Sequence, residues 1–371
     1  MALNDQELTT AYADLHRTFP EDMHIARPLI NMLQDTDHID EARELALGMA
    51  RRMLARGRSG SAIGFLEMCR NLDHPDTDEV EALASIARLT TDGPIDMETG
   101  TEHTFTLVDQ LSDHEAMDFI RQAELVSFPK GTDIVRQGEV SRNFYLILEG
   151  HMLVHLLANE HRVDLNTLGP GHYFGEFACV YQLPRSASVT ATEPSLVLEF
   201  SDASITKLMQ RSPIAGERLM DTVRSRLIHA MTHSHPAFAG LPEADRHWLA
   251  EESTLSEYQD GDKILIDENP EGYGCIVVHG AVNAHIPASG QMHTLTLKTG
   301  DMFGDVNRYI LLPKDATFTA VGHCLICCIP RHVFQSFMNA YGGFEQWVQA
   351  HNEAVQTNLQ PLLDDWGADD D

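Results

Sequence analysis

Residues 173–191 read YFGEFACVYQLPRSASVTA, and residues 302–320 read MFGDVNRYILLPKDATFTA. Both open on Phe-Gly followed by an acid, carry Leu-Pro followed by a base at mid-length, and end on Thr-Ala. Working outward, YLILEG at 145–150 faces CIVVHG at 275–280, and Pro129-Lys-Gly131 faces Gln259-Asp-Gly261. Further out, LSDHEAMDFIRQAELVSF at 111–128 echoes LPEADRHWLAEESTLSEY at 241–258. The offset is 130 residues in the outer parts and 129 in the quoted stretch, so one small gap accounts for the change. Matching over such a length makes this an internal repeat rather than two unrelated β domains.

Each copy holds short, alternating β-rich runs punctuated by glycine and flanked by helical segments. In the first copy the strands are expected around Val135, Tyr145 to Leu148, Met152 to Val154, Val163 to Leu165 and Leu196 to Phe200. Before the repeat, residues 5 to about 90 read as helices. Ala42, Leu45, Ala46, Met49, Ala50 and Met53 recur at helical spacing. Gly57 and Gly60 offer a turn; Ala62, Ile63, Leu66 and Cys69 resume the pattern until Asp73-His-Pro-Asp76 breaks it. Val80, Leu83, Ala84 and Ala87 start another amphipathic helix. The stretch 41–76 resembles a tetratricopeptide repeat, with a plain helical bundle as the other reading. The polar, Gly- and Pro-containing residues 91–104 read as a linker.

The segment from Gly171 to Val189 resembles the phosphate-binding cassette of the cyclic nucleotide-binding domain family. That family includes catabolite activator protein, protein-kinase regulatory subunits and cyclic-nucleotide-gated channels. The resemblance covers about 105–232 and, more weakly, 238–345, with Gly131, Gly138, Gly150 and Gly171 at turns. It implies an α+β fold: an N-terminal α-helical module followed by two β-roll (jelly-roll-like) cyclic-nucleotide-binding domains with flanking helices. The domains expected are 1–90 (helical), 91–104 (linker), 105–235 (intact cassette), 236–345 (degenerate copy) and 346–371 (C-terminal helix and acidic tail).

The resemblance also implies a ligand shell of Phe174, Gly175, Glu176, Phe177, Ala178, Arg185, Ser186 and Ala187. These residue types suit a cyclic phosphate. A short helix starting near Gly175 would aim free backbone N–H groups at the anion, and glycine lets the backbone come close. Arg185 supplies a planar, permanently charged fork. Glu176 would accept the ribose 2′-OH, Ser186 can donate a hydroxyl to phosphate, and Ala178 and Ala187 leave room. Phe177 and Cys179 stand where family members usually carry aliphatics. The alternative is that Glu176 and Arg185 are a buried ion pair holding a loop. Candidates for capping the base, by position only, are Arg224, Leu227 and Ile228 in the helix after Pro213. Cyclic AMP is favoured over cyclic GMP because Ser186 follows Arg185, as a serine follows the arginine in catabolite activator protein.

The second copy keeps Gly304 but replaces Glu with Asp305, Ala with Asn307, Arg with Lys314 and Ser with Asp315. Lysine loses the bidentate geometry. Asp315 places a negative charge beside the phosphate position, and at about 4 Å such a pair repels by roughly 1 to 4 kcal/mol. This degenerate site, Gly304, Asp305, Lys314 and Asp315, is expected not to bind cyclic nucleotide.

Composition excludes other classes. The 371 residues carry a formal net charge of −30, which disfavours nucleic acid, whose binding rests on Lys and Arg. Residues 331–371 offer no basic recognition helix. No run of about 18 apolar residues predicts a membrane span, and the N-terminus lacks a secretion signal, so a cytoplasmic, bacterial-type receptor is expected. The six cysteines suggest no disulfide scaffold, and Cys324-Leu-Ile-Cys327 reads as a buried strand rather than half a zinc site. His229, His233 and His235 have spacings that suggest a metal, yet no carboxylate or cysteine joins them in the sequence. They read as a solvated hinge, with no metal and no cofactor beyond the nucleotide ligand. No catalytic motif stands out, so a non-enzymatic receptor with a protein partner on the helical module is expected. A kinase-regulatory-subunit-like protein and a silent structural scaffold are the alternatives.

Overall fold

The computed structural model describes residues 2–89, 111–158, 161–264, 273–288, 291–304 and 316–364. They form two compact units, Met1–Asp221 and Thr222–Asp371. No helix among the described residues is long and apolar enough to cross a membrane.

The first unit begins with five helices: α1 (Asp5–Thr18), α2 (Met23–Asp35), α3 (Ile39–Ala55), α4 (Ser59–Asn71) and α5 (Thr77–Leu89). Local chemistry sets their starts. Asn4 and Glu7 form a reciprocal capping box on α1, and the Asp22 side chain accepts from His24 N–H at α2. Gly57 turns the chain after α3 with φ +68°, whereas Gly60, expected in the same turn, lies inside α4. The next helix, α6 (Asp113–Ile120), opens on a second capping box, Ser112 with Glu115.

Eight strands and three helices follow: β1 (Glu124–Phe128), β2 (Asp133–Val135), β3 (Phe144–Glu149), β4 (Met152–Ala158), β5 (His161–Leu168), β6 (Tyr173–Phe174), α7 (Glu176–Tyr181), β7 (Ser188–Ala191), β8 (Ser195–Phe200), α8 (Asp202–Arg211) and α9 (Pro213–Ser234). The strands make two four-stranded antiparallel sheets, ordered β1-β8-β3-β6 and β2-β7-β4-β5. All five strands expected from the sequence are present. Strands β1, β6 and β7 were not anticipated.

β3 shows why its sequence reads as an unbroken apolar run rather than an alternating one. Five successive residues, Phe144 to Leu148, are buried. Phe144, Leu146 and Leu148 point into a core shared with the helices, while Tyr145 and Ile147 point between the two sheets with Val135, Met152, Val189 and Val197. The first of these cores is continuous from Leu8 and Leu15 of α1 through Phe119 of α6 to Phe200 of β8, whose rings stack at 4.5 Å. Burying a side chain of this size contributes roughly 1.5 to 3 kcal/mol, so the helical segment and the first roll stabilise each other directly. The seam also carries an Arg17–Glu149 ion pair at 3.1 Å and a bond from Leu3 N–H to the Arg121 carbonyl at 2.9 Å. At Gly171, before β6, a methyl group would stand 2.5 Å from the Phe19 ring.

The second unit contains the end of α9, a 3-10 turn (Pro236–Phe238), α10 (Glu243–Glu252), β9 (Thr254–Tyr258), β10 (Lys263–Ile264), β11 (Tyr273–Ala288), β12 (Gln291–Lys298), β13 (Met302–Gly304), β14 (Thr317–Pro330), α11 (Arg331–Ala340) and α12 (Gly342–Asp364). Here β11 spans what β3 and β4 divide in the first roll, with register shifts on either side of His279. Likewise β14 spans the counterparts of β7 and β8 and carries the buried Cys324 and Cys327, as the sequence suggested. Phe238, Phe334, Phe337 and Phe344 lock the flanking helices together, with ring centroids 5.2 to 6.1 Å apart.

The duplication is visible in the backbone. Glycines with left-handed φ recur in register: Gly131 and Gly261 (+83°, +84°), Gly150 and Gly280 (+87°, +86°), Gly171 and Gly300 (+83°, +94°), and Gly175 and Gly304 (+86°, +125°).

Candidate functional site

The cassette of the first roll occupies the connection from β6 to β7. Gly175 is the N-cap of α7 at φ +86°. Only glycine fits there: a methyl group would lie 2.6 Å from the Asn143 carbonyl oxygen and 2.7 Å from Arg185 Nη1. Having no side chain, Gly175 leaves the first N–H groups of α7 without a side-chain cap from that position. Glu176 is the first residue of α7 and is 6% exposed; Ala178, two residues on, is fully buried. Gln182, also left-handed at φ +54°, ends the helix and returns the chain toward Arg185.

Arg185 is 4% exposed. Its Nε donates to Ser141 Oγ at 2.9 Å, Nη1 to the Gly175 carbonyl at 3.0 Å and Nη2 to the Asn143 carbonyl at 2.7 Å. The guanidinium carbon stands 5.9 Å from the centre of the Tyr145 ring, which in turn stacks on Phe174 at 4.9 Å. The backbone of Arg185 is pinned as well, its carbonyl accepting from Gly138 N–H and its N–H donating to the Glu139 carbonyl. Burial pulls the guanidinium pKa down from its ordinary value, and Tyr145, Glu139 and Glu176 are among the groups that push it back up. Arginine stays charged under these conditions, so a buried cation sits beside the open start of α7. Among the described residues, three of its five N–H donors are committed to acceptors, which leaves two to meet an anion.

The structure brings Phe174, Gly175, Glu176, Ala178 and Arg185 together. Phe177 is half-buried on α7 with its ring 5.6 Å from Tyr181, Ser186 is exposed and Ala187 half-buried. Cys179 is buried and donates its thiol to the Arg142 carbonyl at 2.7 Å; burial pushes its pKa up to about 12. Sequence reasoning missed Ser141, Asn143 and Tyr145, the residues that orient Arg185. Tyr145 left a signal, since the repeat places Cys275 at its counterpart, so the second copy lacks the aromatic ring as well as the arginine.

Of the degenerate site, Gly304 ends β13 and pairs with Gly274. Asp305, Asn307, Lys314 and Asp315 lie outside the described residues, as does the 91–104 linker. The three base-capping candidates stand on α9 in the second unit, where Leu227 and Ile228 are buried and Arg224 is exposed.

The histidines at the end of α9 and just after it differ from the solvated hinge read from the sequence. His235 is 6% exposed, and its ring bonds the Gly300 carbonyl at 2.8 Å and caps the 3-10 turn through Ala237 N–H. A carboxylate does join the other two, because the turn folds the chain back and sets Glu243 of α10 against His229 and His233.

Residues 125–212 and 255–341 match the family model of the cyclic nucleotide-binding domain. The cAMP-dependent protein kinase regulatory subunit of Eremothecium gossypii is 26% identical over 218 residues, 58% of this chain and 44% of that protein. The protein of the same name from Yarrowia lipolytica is 26% identical over 239 residues, 64% of this chain and 59% of that one. This chain therefore spans about half the length of the curated relatives it matches. Among solved structures, the regulatory domain of Toxoplasma gondii PKA with cAMP is 21% identical and covers 68% of this chain and 92% of that one, at a TM-score of 0.30. Two domains of this chain, 125–212 and 255–341, thus belong to the cyclic nucleotide-binding domain family.

Proposed function

We propose that this chain is a non-enzymatic, cytoplasmic receptor that binds a cyclic nucleotide, cyclic AMP before cyclic GMP, in its first roll. The observation that carries this reading is Arg185. A buried guanidinium, held by three internal acceptors beside an uncapped helix start, is a prepared place for one negative charge. Glu176 at the head of α7 takes the ribose hydroxyl, and Phe174, Phe177, Ala178, Ser186 and Ala187 complete the wall. Ligand binding draws on α9, with Arg224 as the exposed capping candidate, and a protein partner reads the change through the helical module. Nucleic acid is not a partner on this reading, given the acidic balance. The second roll, with Asp305, Lys314 and Asp315, serves as a structural or interface domain.

The test is isothermal titration of the full chain with cyclic AMP and with cyclic GMP, alongside Arg185→Ala and Glu176→Gln. One binding event per chain, lost in Arg185→Ala and weakened at least tenfold in Glu176→Gln, supports the reading. Heat that persists in a folded Arg185→Ala variant assigns binding to the second roll instead. No heat with either nucleotide overturns the receptor reading. A second reading is favoured by the relatives matched over 218 and 239 residues, which are named as cAMP-dependent protein kinase regulatory subunits. On it the partner is a protein kinase catalytic subunit, and the chain would inhibit that kinase until cyclic nucleotide is added.

A further inference from the structure

Three side chains meet where α9 ends and α10 begins. His229 and His233 lie one turn apart on α9, so both rings leave the same face of the helix, with centroids 4.8 Å apart. The 3-10 turn reverses the chain and brings the first residue of α10, Glu243, onto that face. Glu243 Oε1 is 2.7 Å from His229 Nε2, and Oε2 is 3.4 Å from His233 Nε2. One ligand atom from each of the three residues lies within 4.8 Å of the others.

We propose that His229, His233 and Glu243 form a binding site for a single Zn²⁺ ion. A second observation is the state of His233. Its side chain is 16% exposed, and its buried Nε2 meets Glu243 Oε2 at 3.4 Å as an ion-pair contact without hydrogen-bond geometry. A buried ring nitrogen so weakly satisfied is costly, and a metal ion shared with Glu243 would satisfy it. The donor set is two imidazoles and one carboxylate, which suits Zn²⁺ and its neighbours in the first transition row and disfavours Mg²⁺ and Ca²⁺. Zinc held at about 2.0 to 2.2 Å by tetrahedral ligands sets those ligand atoms about 3.3 Å apart, so the three groups, now within 4.8 Å, would draw closer around the ion. Three protein ligands leave the fourth position to water.

Two nearby features bear on affinity. Arg246 is buried beside the cluster, its guanidinium held by the Thr232 and Leu241 carbonyls, and its charge opposes a second cation. Glu243 supplies the compensating negative charge. The ion would fasten the last turn of α9 to the first turn of α10 across Pro236–Phe238, beside the bond from Arg246 to the Thr232 carbonyl.

The experiment uses untagged full-length protein stripped of metal by a chelator and titrated with ZnCl₂ in competition with a chromogenic zinc indicator. With 20 histidines in the chain, the difference between wild type and variants is what is read. Wild type is expected to hold one equivalent of Zn²⁺ at least tenfold more tightly than His233→Ala or Glu243→Gln, and excess Mg²⁺ is expected not to displace it. Glu243 is largely exposed, so Glu243→Gln retains the fold and keeps the test valid even if His233→Ala does not. Equal Zn²⁺ affinity in wild type and Glu243→Gln, or displacement by Mg²⁺ at matched concentration, overturns the proposal.

Discussion

Replacing Arg185 with alanine removes three hydrogen bonds and a buried charge at once, and the structure gives the size of the effect. The Asn143 and Gly175 carbonyls lose donors at 2.7 and 3.0 Å, and Ser141 Oγ loses its partner at 2.9 Å. An orphaned buried acceptor costs roughly 1 to 3 kcal/mol. Against this, alanine no longer requires a guanidinium to be stripped of water, which offsets several kcal/mol of the gross loss. The two carbonyls dominate the remainder, for a net loss of about 2 to 4 kcal/mol. In a unit of 221 residues, about 3 kcal/mol corresponds to a fall in Tm of roughly 6 to 12 °C. Differential scanning calorimetry of ligand-free Arg185→Ala and wild type measures this directly. A variant within about 1 °C of wild type would refute the reasoning, because it would mean that the guanidinium is not held by its own backbone before any ligand arrives.

Other consequences can be checked on the same preparations. Phe19→Ala, which removes a 7% exposed ring from the seam between helices and roll, should cost about 3 kcal/mol, read as a lower urea midpoint at unchanged m. His16 is held near pKa 4 by burial and then by Arg52, so the unfolded chain binds its proton first as pH falls from about 6.5. Stability from this group is therefore complete above pH 6.5 and lost on acidification toward pH 4. The full shift would be worth about 3 kcal/mol, and partial exposure of the ring reduces this to about 1 to 2. His16→Gln should flatten that part of the pH–stability curve. Cys179, with its pKa near 12, should resist Ellman's reagent at pH 8 in the native protein and react on denaturation, as Cys179→Ser would confirm by the loss of one slow thiol.

Strands were legible in the sequence wherever a residue alternated between two apolar surroundings, as in β3 and β8. β1 escaped because none of its five residues is fully buried, and β7 because its polar–apolar alternation, Ser188-Val189-Thr190-Ala191, runs for only four residues. Arg185 and Gly175 were legible because their chemistry is local to one segment. The groups that hold the arginine were not, since Ser141 and Asn143 arrive from a loop some 40 residues away whose composition carries no periodicity. Glu243 was invisible for the same reason. Its approach to His229 depends on a turn at Pro236–Phe238 whose geometry no spacing rule supplies, although the proline itself marks a break.

The contact between Phe19 and Gly171 separates the histories open to the two copies of the roll. At 171 a side chain is barred twice, by a left-handed backbone and by an aromatic ring where its first carbon would sit. At the counterpart, Gly300, the backbone has the same hand but nothing among the described residues lies within 4 Å of such a carbon, so asparagine is a tolerable neighbour in sequence space. The helical segment has thus imposed on one copy a constraint that duplication alone did not carry. Over evolutionary drift, position 300 should wander among small polar residues while 171 stays fixed for as long as an aromatic is kept at 19.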